Sequence, residues 1–416
     1  MKQMPPAAAC ATAAVAGPRA DALLIDAGPS PAGWSEIGRF IVCPRMAALS
    51  AIGALPQTRD ATTWGSMGHS GLAHACAQAS LDAGRVDDIE VGTREGSLRV
   101  WASDALLPPA EAATAWVRAN GGEGSFMLPE VHGMLEEFTH RAGAESGFPG
   151  LRPAHEVIIA VESPVVAVVG HHEHGGFGLW VIDVPATIGH RAAGFEVATD
   201  WIRGRRALPL VYISALDSRI ISIPNACMGP WERPIFFTRR IDLVRRLRDG
   251  SVEIIDHKCL AHPEPADARG VYAVDRGMQS FHVLGRQIYG SAFAGVSLHL
   301  VGKRPDKKTG KRRISVEPVP AVPLQIETMA RRLYRAHWQR AELIDEQIPA
   351  ALWDDSGADV GACKHRYGRC DALEPICSHW DVSRARGLGP VPRPYGLGTP
   401  QADAGALPSA SPRRRS

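Results

Sequence analysis

Residues 236–260, FFTRRIDLVRRLRDGSVEIIDHKCL, hold two apolar runs of strand length joined through Arg248-Asp249-Gly250-Ser251. Such a pattern reads as a β-hairpin, and it constrains the fold more tightly than any other stretch. Side chains alternate along a strand, so Asp256 and Lys258 share one face while Ile255, His257 and Cys259 share the other. Register decides what they meet, because a slip of one residue inverts every side chain. A two-residue Asp249-Gly250 turn would set Asp242 opposite His257. A three-residue Arg248-Asp249-Gly250 loop, with the glycine left-handed, sets Asp242 opposite Asp256. We expect the second register. It gathers Ile241, Leu243, Ile255 and Cys259 on an apolar face and leaves two carboxylates and an ammonium on the other.

Two adjacent carboxylates repel one another unless a cation lies between them. Hard oxygen ligands suit Mg²⁺ or Mn²⁺, which keep several waters and also accept phosphate oxygens. A lysine two residues along the same face can orient or deprotonate a water, or stabilise charge developing on a phosphate. That set is the constellation of metal-assisted phosphodiester hydrolysis. A surface hairpin with a cross-strand salt bridge would use the same residues, so the rest of the chain must arbitrate.

Helical patterning covers 35–53, 62–83, 108–119 and 128–141. A β-rich middle follows, then a helix near 275–289, a hairpin around GKRPDKKTGKRR (302–313), and a helix at 324–344. That last helix sets Ile326, Met329 and Leu333 on one face, with Arg331, Arg332 and Arg335 mostly elsewhere. The order implies an α/β or α+β layer arrangement: a mixed central sheet flanked by helices. Residues 1–33 and 383–416 are rich in Ala, Pro and Gly and are expected to be unstructured tails. Between them we expect a helical region at 34–150, a core at 151–345 with an insertion at about 165–230, and a cysteine-rich region at 346–382. The net charge of +2 identifies no partner. The 302–313 loop has seven basic residues against one acid and could follow a phosphate backbone. No stretch approaches the ~20 apolar residues of a membrane helix, and the alanine-rich start makes a poor signal peptide. A cytoplasmic, non-membrane protein is expected.

Cys363, Cys370 and Cys377 recur at seven-residue intervals, and Cys43 stands far upstream in SEIGRFIVCPRMAAL. Together they make four thiolates, enough for a [4Fe–4S] cluster or a zinc ion. Such a group would join segments about 320 residues apart and constrain the unfolded chain. The histidines of GHHEHGGFG (His171, His172, His174) could bind a metal or simply form a polar loop.

RRIDLVRRLRDGSVEIIDHKCL resembles the core of the PD-(D/E)XK nuclease superfamily, in particular its RecB-like branch. The resemblance implies a restriction-endonuclease-like core. In it Asp242, Asp256 and Lys258 are catalytic, and Asp242, Asp256 and the His257 carbonyl hold Mg²⁺ or Mn²⁺. TTWGSMGHSGLAHA resembles the helix whose Gly-x-x-x-His adds a metal ligand; here the residues are Gly65 and His69, with His69, Leu72 and Cys76 on one helix face. Gln279 in RGMQSFHVLGRQIYG resembles a glutamine that contacts DNA or holds the lysine. Glu156 in PAHEVIIAVE stands where the branch has an acid before its first core strand, with Glu162 competing. The roughly 70 residues before the Asp242 strand exceed the branch's usual connection. The Cys-Pro-Arg context of Cys43 is similar to members that carry an iron–sulphur cluster, with the C-terminal spacing closer to phage-type members; zinc stays open. The implied activity is metal-dependent DNA cleavage, with exonuclease the expected mode, on single strands or duplex ends. It would serve recombination, repair or CRISPR adaptation, with a helicase or recombination protein as partner. A non-catalytic DNA-binding scaffold, or a zinc-dependent interaction module, would keep parts of the same pattern.

Overall fold

The computed structural model describes residues 22–26, 34–52, 54, 60–93, 96–122, 124–171, 177–181, 211–213, 220–222, 229–230, 235–261, 263–353, 364–365, 368–369 and 391. The first half contributes helices α1 (Trp34–Val42), α2 (Pro44–Ala51), α3 (Asp60–Asp82), α4 (Pro109–Ala119) and α5 (Leu128–Ala144), with strands β1 (Ile89–Thr93) and β2 (Gly96–Val100) after α3. Strands β3 (Val157–His171), β4 (Phe177–Val181), β5 (Val211–Ile213), β6 (Ile220–Ser222), β7 (Ile235–Arg246) and β8 (Val252–Leu260) follow. Helices α6 (Pro265–Ala273) and α7 (Arg276–Tyr289), strands β9 (Phe293–Gly302) and β10 (Ile314–Val319), and helix α8 (Pro323–Asp345) complete the core.

One eight-stranded sheet runs β10-β9-β8-β7-β3-β1-β2, with β4 also paired to β3. The β1–β3 and β8–β9 pairs are parallel and the rest antiparallel, so the fold is mixed α/β as expected. Each parallel pair is bridged by helices, as a crossover requires. Helices cover both faces of the sheet. On one side α3, α4 and α5 pack against Ile158, Val161, Leu243, Ile255 and Val301. On the other, α1, α2, α7 and α8 pack against Ala160, Val165, Phe237, Ile241, Val244, Ile254 and Leu300. Burial on both faces explains why β3 reads as an almost unbroken apolar run rather than an alternating one.

The β7–β8 hairpin adopts the expected register, with Leu243 against Ile255 and Arg246 against Val252. The Leu247 N–H donates to the Ser251 carbonyl at 2.7 Å, which closes a three-residue loop. Gly250 has φ +85°, a conformation cheap only for glycine. In α8, Met329 and Leu333 are fully buried while Arg331, Arg332 and Arg335 face solvent.

Several expectations are corrected. The segment 35–53 is two helices, interrupted where Cys43 caps α2 and Pro44 opens it; the Cys43 Sγ accepts the Met46 N–H at 3.4 Å. Residues 165–171 are not an insertion, since 165–169 pair with 235–239 and 167–171 with 177–181 in the main sheet. Within the presumed leader, 22–26 docks onto α3: Ile25 is buried, its N–H donates to His74 Nε2 at 2.8 Å, and its carbonyl accepts from Ser70. Leu23, Leu24 and Ile25 form an apolar cluster in that leader, which is why this piece finds a core. Val391, in the presumed tail, is likewise buried against the α8 side. Cys363, Cys370, Cys377, His172 and His174 lie outside the described residues. Among the described residues no helix is long and apolar enough to cross a membrane.

Candidate active site

The site forms where β3 and β7 both lose their alternation. In β7, Phe237 and Ile241 pack on the α8 side, yet Leu243 packs on the α3 side. In β3, Val165 faces the α8 side and Val161 the α3 side. Both reversals fall on one rung. The pairs Val161–Leu243 and Ser163–Ile241 flank it, so Glu162 stands across from Asp242. The expectation that Ile241 shares the apolar face of Leu243 is therefore corrected: the reversal at Asp242 carries Ile241 into the opposite core.

Glu162 makes the reversal possible by adopting φ +51°, an uncommon conformation for a residue with a side chain. Its carbonyl presses on β1 at Gly92, where a Cβ would stand 1.9 Å from the oxygen. Strain of this kind costs on the order of 1–3 kcal/mol and concentrates at functional sites.

Helix α3 delivers His69 to the same place. Gly68 and Gly71 allow its approach: a Cβ at Gly68 would meet Cys259 Sγ at 3.2 Å, and one at Gly71 would meet Leu135 at 2.3 Å. Gly65 has nothing near it, so the glycines that matter are the two flanking His69. His69 Nδ1 lies 3.4 Å from Asp242 Oδ2. One ligand atom each from His69, Glu162 and Asp242 falls within 4.8 Å of the others. Asp242 Oδ2 also accepts the His257 N–H at 2.7 Å, which fixes the carboxylate where β8 parts from β7. Asp256 is not one of that trio; its carboxylate is ion-paired with Lys258 Nζ. Lys258 Nζ lies 3.4 Å from the His257 carbonyl and 5.8 Å from the centre of the Tyr272 ring. The side chains of His69 and Lys258 are each 27% exposed, which opens the site to solvent from both faces of the sheet.

Burial pushes the Glu162 carboxyl up to about 8, aided by the negative charge of Asp242 and opposed by Arg240. Burial acts upward on Asp242 as well. There His69, Lys258, His257 and the His257 N–H outweigh it, and the group falls below its ordinary value. Asp256 is raised by burial and by Asp242, against the pull of Lys258. Burial alone would lower Lys258, yet the Asp256 and Asp242 carboxylates prevail and raise it. At neutral pH, Asp242 and Lys258 are thus charged, and Glu162 holds a proton that a metal ion would replace.

A divalent cation fits these residues. Glu162 Oε1 is shielded from solvent and has no hydrogen-bond partner among the described residues. Buried carboxyl oxygens left so are costly unless a cation or donor meets them. Two carboxylates and an imidazole suit Mn²⁺ or Mg²⁺, with the remaining positions taken by water or substrate oxygen.

Other expected site residues lie elsewhere. Gln279 is fully buried; its amide donates to the Ala273 and Pro320 carbonyls at 2.7 and 2.9 Å, and its oxygen accepts from Val322 N–H. With both amide hydrogens engaged on backbone carbonyls, it ties α7 to the start of α8. Glu156 pairs with Arg245 at 2.8 Å and accepts the Arg152 N–H, so the acid of this site is Glu162. The His257 carbonyl faces the site, while its ring turns to His299, Nδ1 to Nδ1 at 2.9 Å. Asp26, on the docked 22–26 segment, adds negative charge that Glu162 senses, and no motif marked it for this place. Of the four expected cluster cysteines, Cys43 alone is described; it is buried at the start of α2.

No family model, curated protein or solved structure matches the chain.

Proposed function

We propose that this chain is a divalent-cation-dependent DNA nuclease of the PD-(D/E)XK, RecB-like kind. The observation that carries the reading is the rung at which Glu162 and Asp242 converge with His69, beside the Asp256–Lys258 pair. Two buried acids facing one another at a backbone irregularity make poor sense as scaffolding and good sense as a cation site.

His69, Glu162 and Asp242 would hold Mg²⁺ or Mn²⁺, with the His257 carbonyl and Asp256 close by. When bound, the ion would neutralise phosphate charge and bring water and phosphorus together. The His257 N–H keeps the Asp242 carboxylate ionised and correctly turned. Lys258, held protonated by its two carboxylate neighbours, acts as a donor. Of its two candidate roles, stabilising charge on a phosphate oxygen is favoured over proton abstraction. Its pairing with Asp256 fixes the ammonium on the open side of the sheet.

The four-cysteine group, [4Fe–4S] or zinc, belongs to the same proposal. Supporting it, Arg45 Nε donates to the Trp353 carbonyl at 3.2 Å, and Phe40 packs edge-on against Trp353. The chain therefore enters its cysteine-rich segment beside the helix that Cys43 caps. Protein purified without oxygen would be brown with a cluster and colourless with zinc. A helicase or recombination partner, including one of CRISPR adaptation or phage origin, fits this reading.

The direct test is cleavage of single- and double-stranded DNA with Mn²⁺ or Mg²⁺, comparing wild type with Lys258→Ala. We expect cutting by the wild type and cutting slowed by about 10²–10³-fold in the variant. A wild type inert with both ions on both substrates would leave only a non-catalytic scaffold.

A further inference from the structure

Three cations approach the site, and two have a carboxylate. Lys258 has Asp256, and Arg240 Nε lies 4.0 Å from Glu162. Arg239 is the third. It stands on β7 three residues before Asp242, and its guanidinium lies over the Phe281 ring, 4.2 Å from the centroid. Phe281 and Tyr272 belong to the core on the α8 side, and Ile254 faces that core from β8. By alternation Asp256 and Lys258 face the same way, so Arg239 shares their side of the sheet. Among the described residues it forms no ion pair, and its Nε is shielded from solvent without a hydrogen-bond partner. Asp256, Asp275 and Asp242 act on it from a distance, while burial draws its pKa down.

A partly buried guanidinium stacked on a ring and lacking an acid is costly to keep. Stacking orients its plane, and the planar fork matches two oxygens of one phosphate. The surroundings agree. Arg276, next to the α7 cap Asp275, also has an unpartnered Nε, and it feels the positive charge of Arg332 on α8. Arg239 and Arg276 both feel one acid, Asp275, so positive charge is in excess there.

We propose that Arg239 is a substrate-binding residue whose guanidinium takes the oxygens of a backbone phosphate of the bound strand, with Arg276 and Arg332 continuing the same track. This rests on the nuclease reading and adds the path of the strand: from Lys258 by way of Arg239 toward Arg276 at the start of α7 and Arg332 on α8.

The test uses the full chain and oligonucleotides bearing one neutral methylphosphonate linkage, moved along the strand. Affinities are measured with Ca²⁺ in place of Mg²⁺, and cleavage of the unmodified strand with Mg²⁺. At one linkage, neutralisation should weaken wild-type binding about tenfold or more. Arg239→Gln should be weakened for the unmodified strand by a similar factor and show no further loss at that linkage alone. Arg239→Lys, which keeps charge but not the fork, should show a reduced penalty there and serves if the glutamine variant does not fold. Variants whose linkage profiles superimpose on the wild type, while the wild type binds and cuts, overturn the role of Arg239 and leave the nuclease standing. A wild type that neither binds nor cuts any of these strands overturns both.

Discussion

The β7–β8 and β9–β10 hairpins lie side by side in one sheet and carry similar densities of charge, but they treat it in opposite ways. In β9–β10 the basic run is neutralised. Arg312 is buried, pairs with Glu137 at 2.6 Å and donates to the Gly133 and Lys303 carbonyls. Lys311 pairs with Glu145, Arg304 with Glu130, and Arg313 with Glu264 and Asp306. Lys303 lies over the Trp64 ring. These contacts fasten the hairpin to α5 and leave Lys307 and Lys308 exposed at its tip. In β7–β8 Asp256 has Lys258 and Glu253 has Arg245, but Asp242 lies across from a second buried acid, Glu162 of β3, whose Oε1 has no hydrogen-bond partner among the described residues. A charge run that finds its partners within the fold is architecture; a charge cluster that does not is a site.

Four perturbations sharpen that contrast. Arg312→Ala should cost about 1–3 kcal/mol, since the Gly133 and Lys303 carbonyls lose a donor while Glu137 keeps Arg141 and the backbone N–H of residue 312. Denaturant unfolding would measure it, and cleavage per folded molecule should not change. Lys258→Ala should do the reverse, with kcat/KM falling about 10²–10³-fold against a smaller loss of stability. If the two variants exchanged phenotypes, the distinction between the hairpins would collapse.

Gln279→Leu should destabilise by about 1–3 kcal/mol, because three backbone groups lose a partner. Activity measured on the folded protein should hold, whereas a selective loss of kcat would return Gln279 to the site.

Acid should unfold the chain gradually. Burial holds His74 down at about 3 and His299 well below its ordinary value. Both stay neutral when folded and take up protons near 6.5 when unfolded. Their contribution is whole above about 6.5 and is lost as pH falls toward about 3. The slope is at most about 1.4 kcal/mol per pH unit for each group. Thermal melts across that window should show it, and His74→Gln should flatten it.

Local pattern carried much of this structure. The hairpin register followed from a three-residue Arg248-Asp249-Gly250 loop and from the need to bury Leu243 and Ile255, while His69 followed from helical spacing beside Leu72. What stayed hidden depended on strands meeting across the chain. Nothing in the type of residue 162 announces a left-handed φ; only the β1–β3–β7 packing against Gly92 imposes it, and with it the displacement of Ile241. One signal was available. Glu162 interrupts the apolar run IIAVESPVVAVV as Asp256 interrupts VEIIDHKCL, and an acid in the middle of a buried strand asks for the same explanation in both places. Gln279 misled because a glutamine on an amphipathic helix looks alike whether it meets a ligand or ties down backbone.

The claim beneath the rest is that His69, Glu162 and Asp242 were brought to one rung to hold a cation. Mn²⁺ binding to the full chain, followed by electron paramagnetic resonance and calorimetry at pH 8, tests it most directly. Mn²⁺ should bind the wild type, be lost in Asp242→Asn and be held more weakly in Glu162→Gln. Mn²⁺ that binds both variants as it binds the wild type, or does not bind the wild type at all, would contradict it.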